Sequence, residues 1–188
     1  LHLSIRRQRQ MCIRDSVERW GEIPILRPSE GKLLSAASDI AIYAGAYYNG
    51  SIYASGQSNK DYLYYTLKID PANFSYEVLA QVDCFVRDMA FDYTTGTMFA
   101  VLSDDRNTGA LAQMDLKTGL FTVVGDTGYE MVALACDNEG ALYAVNAAGY
   151  LYQLNKDTAE ATYRSSTSMS GSCLLYTSPS PRDAHESR

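Results

Sequence analysis

Residues 87–125 read RDMAFDYTTGTMFAVLSDDRNTGALAQMDLKTGLFTVVG, and within them four short runs are built from β-branched, aromatic and small apolar residues. The runs fall at about 87–92, 97–103, 110–116 and 120–125. The breaks between them, Tyr93–Gly96, Asp104–Gly109 and Lys117–Gly119, are rich in Gly, Asp, Asn and Thr. Short runs of strand formers bounded by such residues are hairpin signals, so the stretch predicts four antiparallel strands. In Met98-Phe99-Ala100-Val101-Leu102 neither the odd nor the even positions are polar. A strand apolar on both faces belongs to a sheet covered on both sides.

The same pattern recurs on either side. Gly50-Ser51-Ile52-Tyr53-Ala54, Gly96-Thr97-Met98-Phe99-Ala100 and Gly140-Ala141-Leu142-Tyr143-Ala144 stand 46 and 44 residues apart. Downstream of each, Asp70, Asp115 and Asn155 fall in register, each followed by turn-forming residues and a β-rich run. An Asx before a turn bonds its own backbone two residues on, so a repeated structural turn accounts for these three residues without a functional role. The third unit predicts strands at about 131–136, 141–146, 150–154 and 160–165, with Asp137–Gly140 as its first turn. The first unit runs from about Asp39 to Val82, and Asn49-Gly50 is a type I′ hairpin signal.

Three units of four strands with a period near 44 residues predict an all-β fold with no helices to cover its sheets, so the sheets must cover one another. The expected architecture is an incomplete β-propeller of about three four-stranded antiparallel blades. The blocks MAFDYTTGTMFAV, AQMDLKTGLFTVVG and LACDNEGALYAVNAAGYLYQLN resemble bacterial β-propeller repeats of the YVTN, NHL and quinoprotein-like kind over roughly 39–166. The first unit departs most, with Asn73-Phe74 where Thr118-Gly119 stands and a Tyr-rich run at Tyr62–Tyr65. Expected boundaries are 39–83, 84–126 and 127–166 for the blades, with 17–38 a linker or the remnant of a preceding blade and 167–172 leading into the next. Because propellers typically close with four to eight blades, the expected partners include missing blades of the same chain.

The two ends read differently. Met11–Asp15 can be encoded ATG TGT ATA AGA GAC, whose reverse complement lies within TGT CTC TTA TAC ACA TCT, an encoding of Cys173–Ser178. This inverted repeat resembles the mosaic-end adapter that a transposase joins to DNA fragments before sequencing. CGT CGG CAG CGT CAG for Arg6–Gln10 and CCG AGC CCA CGA GAC for Pro179–Asp183 extend the match. Residues 1–16 and 173–188 are therefore expected to be adapter-derived and disordered, and they are set aside.

That subtraction changes the chemistry. It removes six of sixteen basic and three of twenty-two acidic residues, so the net charge moves from −6 to −9. Both histidines, His2 and His185, go with it, and so do Cys12 and Cys173. A segment without histidine holds no Ser-His-Asp triad, Cys-His pair or HExxH zinc helix. The acidic balance argues against a nucleic-acid partner, and no apolar run approaches the ~20 residues of a membrane span. Cys84 and Cys136 are expected as buried free thiols, the alternative being a bridge between adjacent blades.

Two groups of residues are candidate sites. Asp104, Asp105 and Asn107 offer oxygens to calcium in one loop, although EF-hand spacing is absent and a solvated hairpin turn explains them as well. Asp137, Asn138 and Glu139 sit in an equivalent turn. Tyr47, Tyr48, Tyr62, Tyr64 and Tyr65 are candidates for a binding surface for protein or carbohydrate, against the plainer reading that tyrosine is a good strand former. No catalytic residue and no cofactor is expected beyond that calcium. The expected role is a non-catalytic binding module of a larger bacterial protein at the cell surface or outside the cell. The rival is part of a lactonase, lyase or quinoprotein-like propeller enzyme with its site on other blades.

Overall fold

A computed structural model describes residues 22–26, 33–37, 39–73, 75–103 and 109–166. Both adapter-like ends and the candidate calcium residues Asp104, Asp105 and Asn107 lie outside the described residues. β1 (Glu22–Leu26) and β2 (Leu33–Ala37) pair as an antiparallel ribbon. Three four-stranded antiparallel sheets follow, each with its strands in chain order. Blade 1 holds β3 (Ile40–Tyr48), β4 (Ser51–Ser58), β5 (Tyr64–Ile69) and β6 (Tyr76–Val82). Blade 2 holds β7 (Phe85–Asp92), β8 (Thr97–Ser103), β9 (Gly109–Met114) and β10 (Phe121–Asp126). Blade 3 holds β11 (Met131–Cys136), β12 (Leu142–Asn146), β13 (Tyr150–Leu154) and β14 (Ala161–Ser166). In the second and third units every strand end falls within two residues of its expected place.

The first strands of the blades, β3, β7 and β11, pack one against the next, while the fourth strands face solvent along most of their length. Blade 2 shows why its strands are apolar on both faces. Met98, Ala100 and Leu102 join Ala44, Ala46 and Tyr53 of blade 1 in one core. Phe99 and Val101, alternating with them along β8, join Leu134, Leu142, Ala144 and Tyr152 of blade 3 in another. Alternate side chains of a strand point to opposite faces, so one strand serves two inter-blade cores. The fold is an incomplete β-propeller of three blades.

The repeated Asx turns bind the blades together. Asp70, Asp115 and Asn155 each accept a hydrogen bond from the backbone N–H two residues on, at 2.7–2.8 Å, as the sequence predicts. At the turn's end the backbone is left-handed, with φ of 74° at Gly119 and 64° at Ala159. Thr66 Oγ1 of blade 1 donates to the Gly119 carbonyl at 2.9 Å. A Cβ at 119 would overlap that hydroxyl and stand 2.5 Å from Leu79 Cβ. In blade 3 the order of sizes reverses, because Ala159 packs on Gly125 of blade 2. Asn49 and Gly50 have φ of 45° and 82°, both positive as a type I′ turn requires.

Candidate functional site

All three first strands carry a β-bulge at the same place. The ladder slips between Ile42 and Ala44, between Val86 and Asp88, and between Met131 and Ala133, leaving Tyr43, Arg87 and Val132 as the extra residues. A bulge re-aims the side chain of its strand and is common beside functional sites. We call the end at which β3, β7 and β11 begin the upper end, and the end at which they finish the lower end.

At the upper end Tyr43 and Tyr64 of blade 1 pack with Phe85 and Arg87 of blade 2, and Arg87 pairs onward with Glu130 of blade 3. Tyr43 meets Phe85 edge-on at 5.1 Å between ring centroids, and Tyr64 approaches the same ring at 5.7 Å. Tyr43 Oη donates to Gln57 Oε1 at 3.3 Å. The Arg87 guanidinium lies 5.0 Å from the Phe85 centroid, within cation–π range. It also pairs with Glu130 at 2.6 Å, both side chains retaining about 30% exposure. Its Nε is buried without a hydrogen-bond partner among the described residues. One residue on, Asp88 Oδ2 accepts the Leu134 N–H of blade 3 at 2.7 Å, and Oδ1 accepts its neighbour Met89 N–H at 2.9 Å. Burial outweighs these two bonds and pushes the Asp88 carboxyl up to about 7, although the residue keeps partial exposure.

The five candidate tyrosines do not share one surface. Tyr47 and Tyr48 end β3 at the lower end. The Tyr47 carbonyl accepts a hydrogen bond from Tyr93 Oη at 3.0 Å, and Tyr48 is stacked on Phe91 at 3.9 Å. Tyr62, Tyr64 and Tyr65 belong to the β4–β5 hairpin at the upper end, a strand length or roughly 25 Å away. Tyr62 is 72% exposed with φ of 61°. Tyr65 Oη donates to Asp61 Oδ2 at 2.9 Å, which makes the Tyr65 phenol harder to deprotonate. The Ser58 hydroxyl and the Leu63 N–H hold the Asp61 carboxyl below its ordinary 3.8. Of the five, Tyr64 is the one that joins the Phe85 and Arg87 cluster.

The sequence reading missed Tyr43, Phe85, Arg87, Asp88 and Glu130. The register of the repeat aligns Tyr43, Arg87 and Val132, which is a signal, but a bulge leaves no compositional mark. The cluster combines aromatic rings, a guanidinium and carboxylates, groups of the kind that stack on and hydrogen-bond a ligand. Among the described residues no cluster of His, Cys, Asp and Glu is arranged to hold a metal ion. Cys84 and Cys136 are free thiols, each pushed up to about 11 chiefly by burial, and so are poor nucleophiles at neutral pH. No described helix is long and apolar enough to cross a membrane.

No protein-family model matches the chain, and no curated protein matches it. Among solved structures it is similar to a structural-genomics protein of unknown function from Bacteroides thetaiotaomicron, with TM-score 0.52 and 18% identity. That similarity covers 73% of this chain and 35% of the other, so the chain spans about a third of that protein's length. A calcium-binding protein, regucalcin from Agrobacterium tumefaciens, aligns with TM-score 0.48 and 16% identity over 69% of this chain and 45% of its own. At 18% identity the likeness to the Bacteroides protein speaks for the fold alone.

Proposed function

We propose that this chain is part of a non-catalytic binding module, a bacterial β-propeller of the YVTN, NHL or quinoprotein-like kind, exported or held at the cell surface. Its natural polypeptide continues into further blades, the two ends of the present sequence being adapter-derived. The ligand we assign to it is a carbohydrate, seated at the upper end between blades 1 and 2. The observation that carries this reading is the cluster in which the Tyr43, Tyr64 and Phe85 rings stand together beside the Arg87–Glu130 pair. Apolar C–H faces of a sugar pack on rings while its hydroxyls bond to charged groups, and tyrosine presents such area at low entropy cost. Calcium at Asp104, Asp105 and Asn107 remains a proposal to be titrated.

Binding to a glycan array tests the reading. Tyr64→Ala and Arg87→Ala should each weaken a positive interaction at least about tenfold, a loss of roughly 1.4 kcal/mol. Tyr47→Ala, at the other end of the blade, should leave it unchanged. Equal weakening by Tyr47→Ala, or selective capture of proteins with no glycan bound, would count against it. A propeller enzyme is the second reading, and one observation favours it: Asp88, at about 7, titrates where a general base works. Turnover of a lactone or glycoside abolished by Asp88→Asn would replace the binding reading with that one.

A further inference from the structure

We infer that the open face of blade 3 seats a fourth blade of the same polypeptide, and that this blade brings a lysine or arginine to Asp137. The inference rests on the reading above that the natural chain continues.

Its basis is the register of the three units. Phe99 of blade 2 corresponds to Tyr143 of blade 3, Val101 to Val145, Leu111 to Leu151 and Ala90 to Ala135. In blade 2 these four side chains are at most 2% exposed, because blade 3 covers them. In blade 3 Val145 is buried at 4%, but Tyr143, Leu151 and Ala135 are only half-buried. The face thus repeats an interface that is occupied one blade earlier.

The lower end says what the occupant carries. Tyr48, Asp92 and Asp137 hold one register position, the last of the first strand or the residue just after it. The next blade's Asx turn arrives at that position with its second residue. Blade 2 brings Leu116 into the apolar core that holds Tyr48. Blade 3 brings Lys156, whose Nζ lies 2.6 Å from Asp92 Oδ2. In register, the residue arriving from the next blade is apolar where the receiving residue is Tyr48 and basic where it is Asp92. Asp92 is fully buried, and its carboxylate is completed by Thr94, Thr95 and Lys156. Asp137 Oδ1 accepts the N–H groups of Glu139 and Ala141 at 3.0 and 2.8 Å. Among the described residues no cation meets Asp137. Buried carboxylates are paired, so a blade closing over this face needs a basic residue there. A second copy of this chain is a poorer fit, since its blade 1 would present Pro71 at that place.

The uninterrupted natural reading frame should carry Lys or Arg at the second position of the next Asx turn, about 40 residues beyond Lys156, which is the spacing from Leu116 to Lys156. An apolar or acidic residue there overturns the inference. In protein, residues 167–188 can be replaced by a second copy of residues 127–166, which carries its own equivalent of Lys156. The melting temperature should rise by about 5–10 °C. Asp137→Asn should then lower it in the extended chain and leave the original chain unmoved. Equal effects in both chains overturn the inference, as does a dimer of the original chain that Asp137→Asn dissociates. Asp92→Asn and Lys156→Met in the original chain report separately on the blade 2–blade 3 interface. Additive losses there would mean that the propeller reading itself has failed.

Discussion

Replacing Gly119 by alanine probes the contact between blades 1 and 2, and the cost can be worked out from its surroundings. Three terms add. The backbone at φ of 74° is left-handed, which costs an L-residue about 1–2 kcal/mol. The new Cβ would overlap Thr66 Oγ1 and stand 2.5 Å from Leu79 Cβ, and overpacking of this kind costs about 1–3 kcal/mol. Relief of that clash withdraws Thr66 from the Gly119 carbonyl, a buried hydrogen bond contributing about 1 kcal/mol. The expected loss is therefore about 3–6 kcal/mol, a large part of a typical domain's stability. Gly96 supplies the control. Its φ is 73°, but a Cβ there meets nothing within 4 Å, so Gly96→Ala should cost only the backbone term, about 1–2 kcal/mol. Urea denaturation followed by circular dichroism would read both losses. Equal losses at the two glycines would refute the inter-blade contact, because the backbone terms are the same.

Other expectations follow from the same interfaces. Gly125→Ala would place a Cβ 2.8 Å from the Thr158 carbonyl oxygen and 3.2 Å from Ala159 Cβ, so it should destabilise by about 1–3 kcal/mol in the same assay. Asp92 and Asp88 should give opposite pH dependence. Burial pushes Asp92 up, but Lys156, Thr94 and Thr95 outweigh it and hold the carboxyl well below its ordinary 3.8. Its contribution is therefore present above about pH 4 and lost as pH falls towards the folded value, so Asp92→Asn should flatten the acid limb of the stability curve. Asp88, raised from 3.8 to about 7, favours the folded state most at low pH and loses that contribution as pH rises from about 4 to 7. Asp88→Asn should reduce the fall in stability between pH 5 and pH 8, which denaturation at the two pH values would measure. Cys84 and Cys136 should react slowly with a thiol reagent at pH 7.5 in the folded protein and at once in guanidinium, with no bridge between them by mass spectrometry.

Much of the architecture is written in the period of the sequence. The Gly-x-x-aromatic-Ala blocks set the second strand of every blade, and the apolar run Met98–Leu102 announces two covered faces. The Asx turns at Asp70, Asp115 and Asn155 were legible because the side chain bonds locally, within two residues. The site was less legible for a physical reason. Arg87 reaches Glu130 across 43 residues and Lys156 reaches Asp92 across 64, and nothing local marks either partner. Tyrosine abundance pointed to blade 1 but could not separate its two ends, because a strand's direction places Tyr48 and Tyr64 on opposite rims. Ala159 in a left-handed backbone, where the pattern elsewhere uses Gly119, became intelligible only beside the space that Gly125 leaves.

The central claim is that the Asx turns of blades 2 and 3 each enter the preceding blade, and proton–proton contacts in solution test it most directly. Nuclear Overhauser spectra of the folded chain should connect the Ala159 methyl group with the Gly125 α-protons, and Thr66 with the α-protons of Gly119. Contacts confined within each four-stranded sheet, with both of these cross-blade contacts missing, would contradict the account.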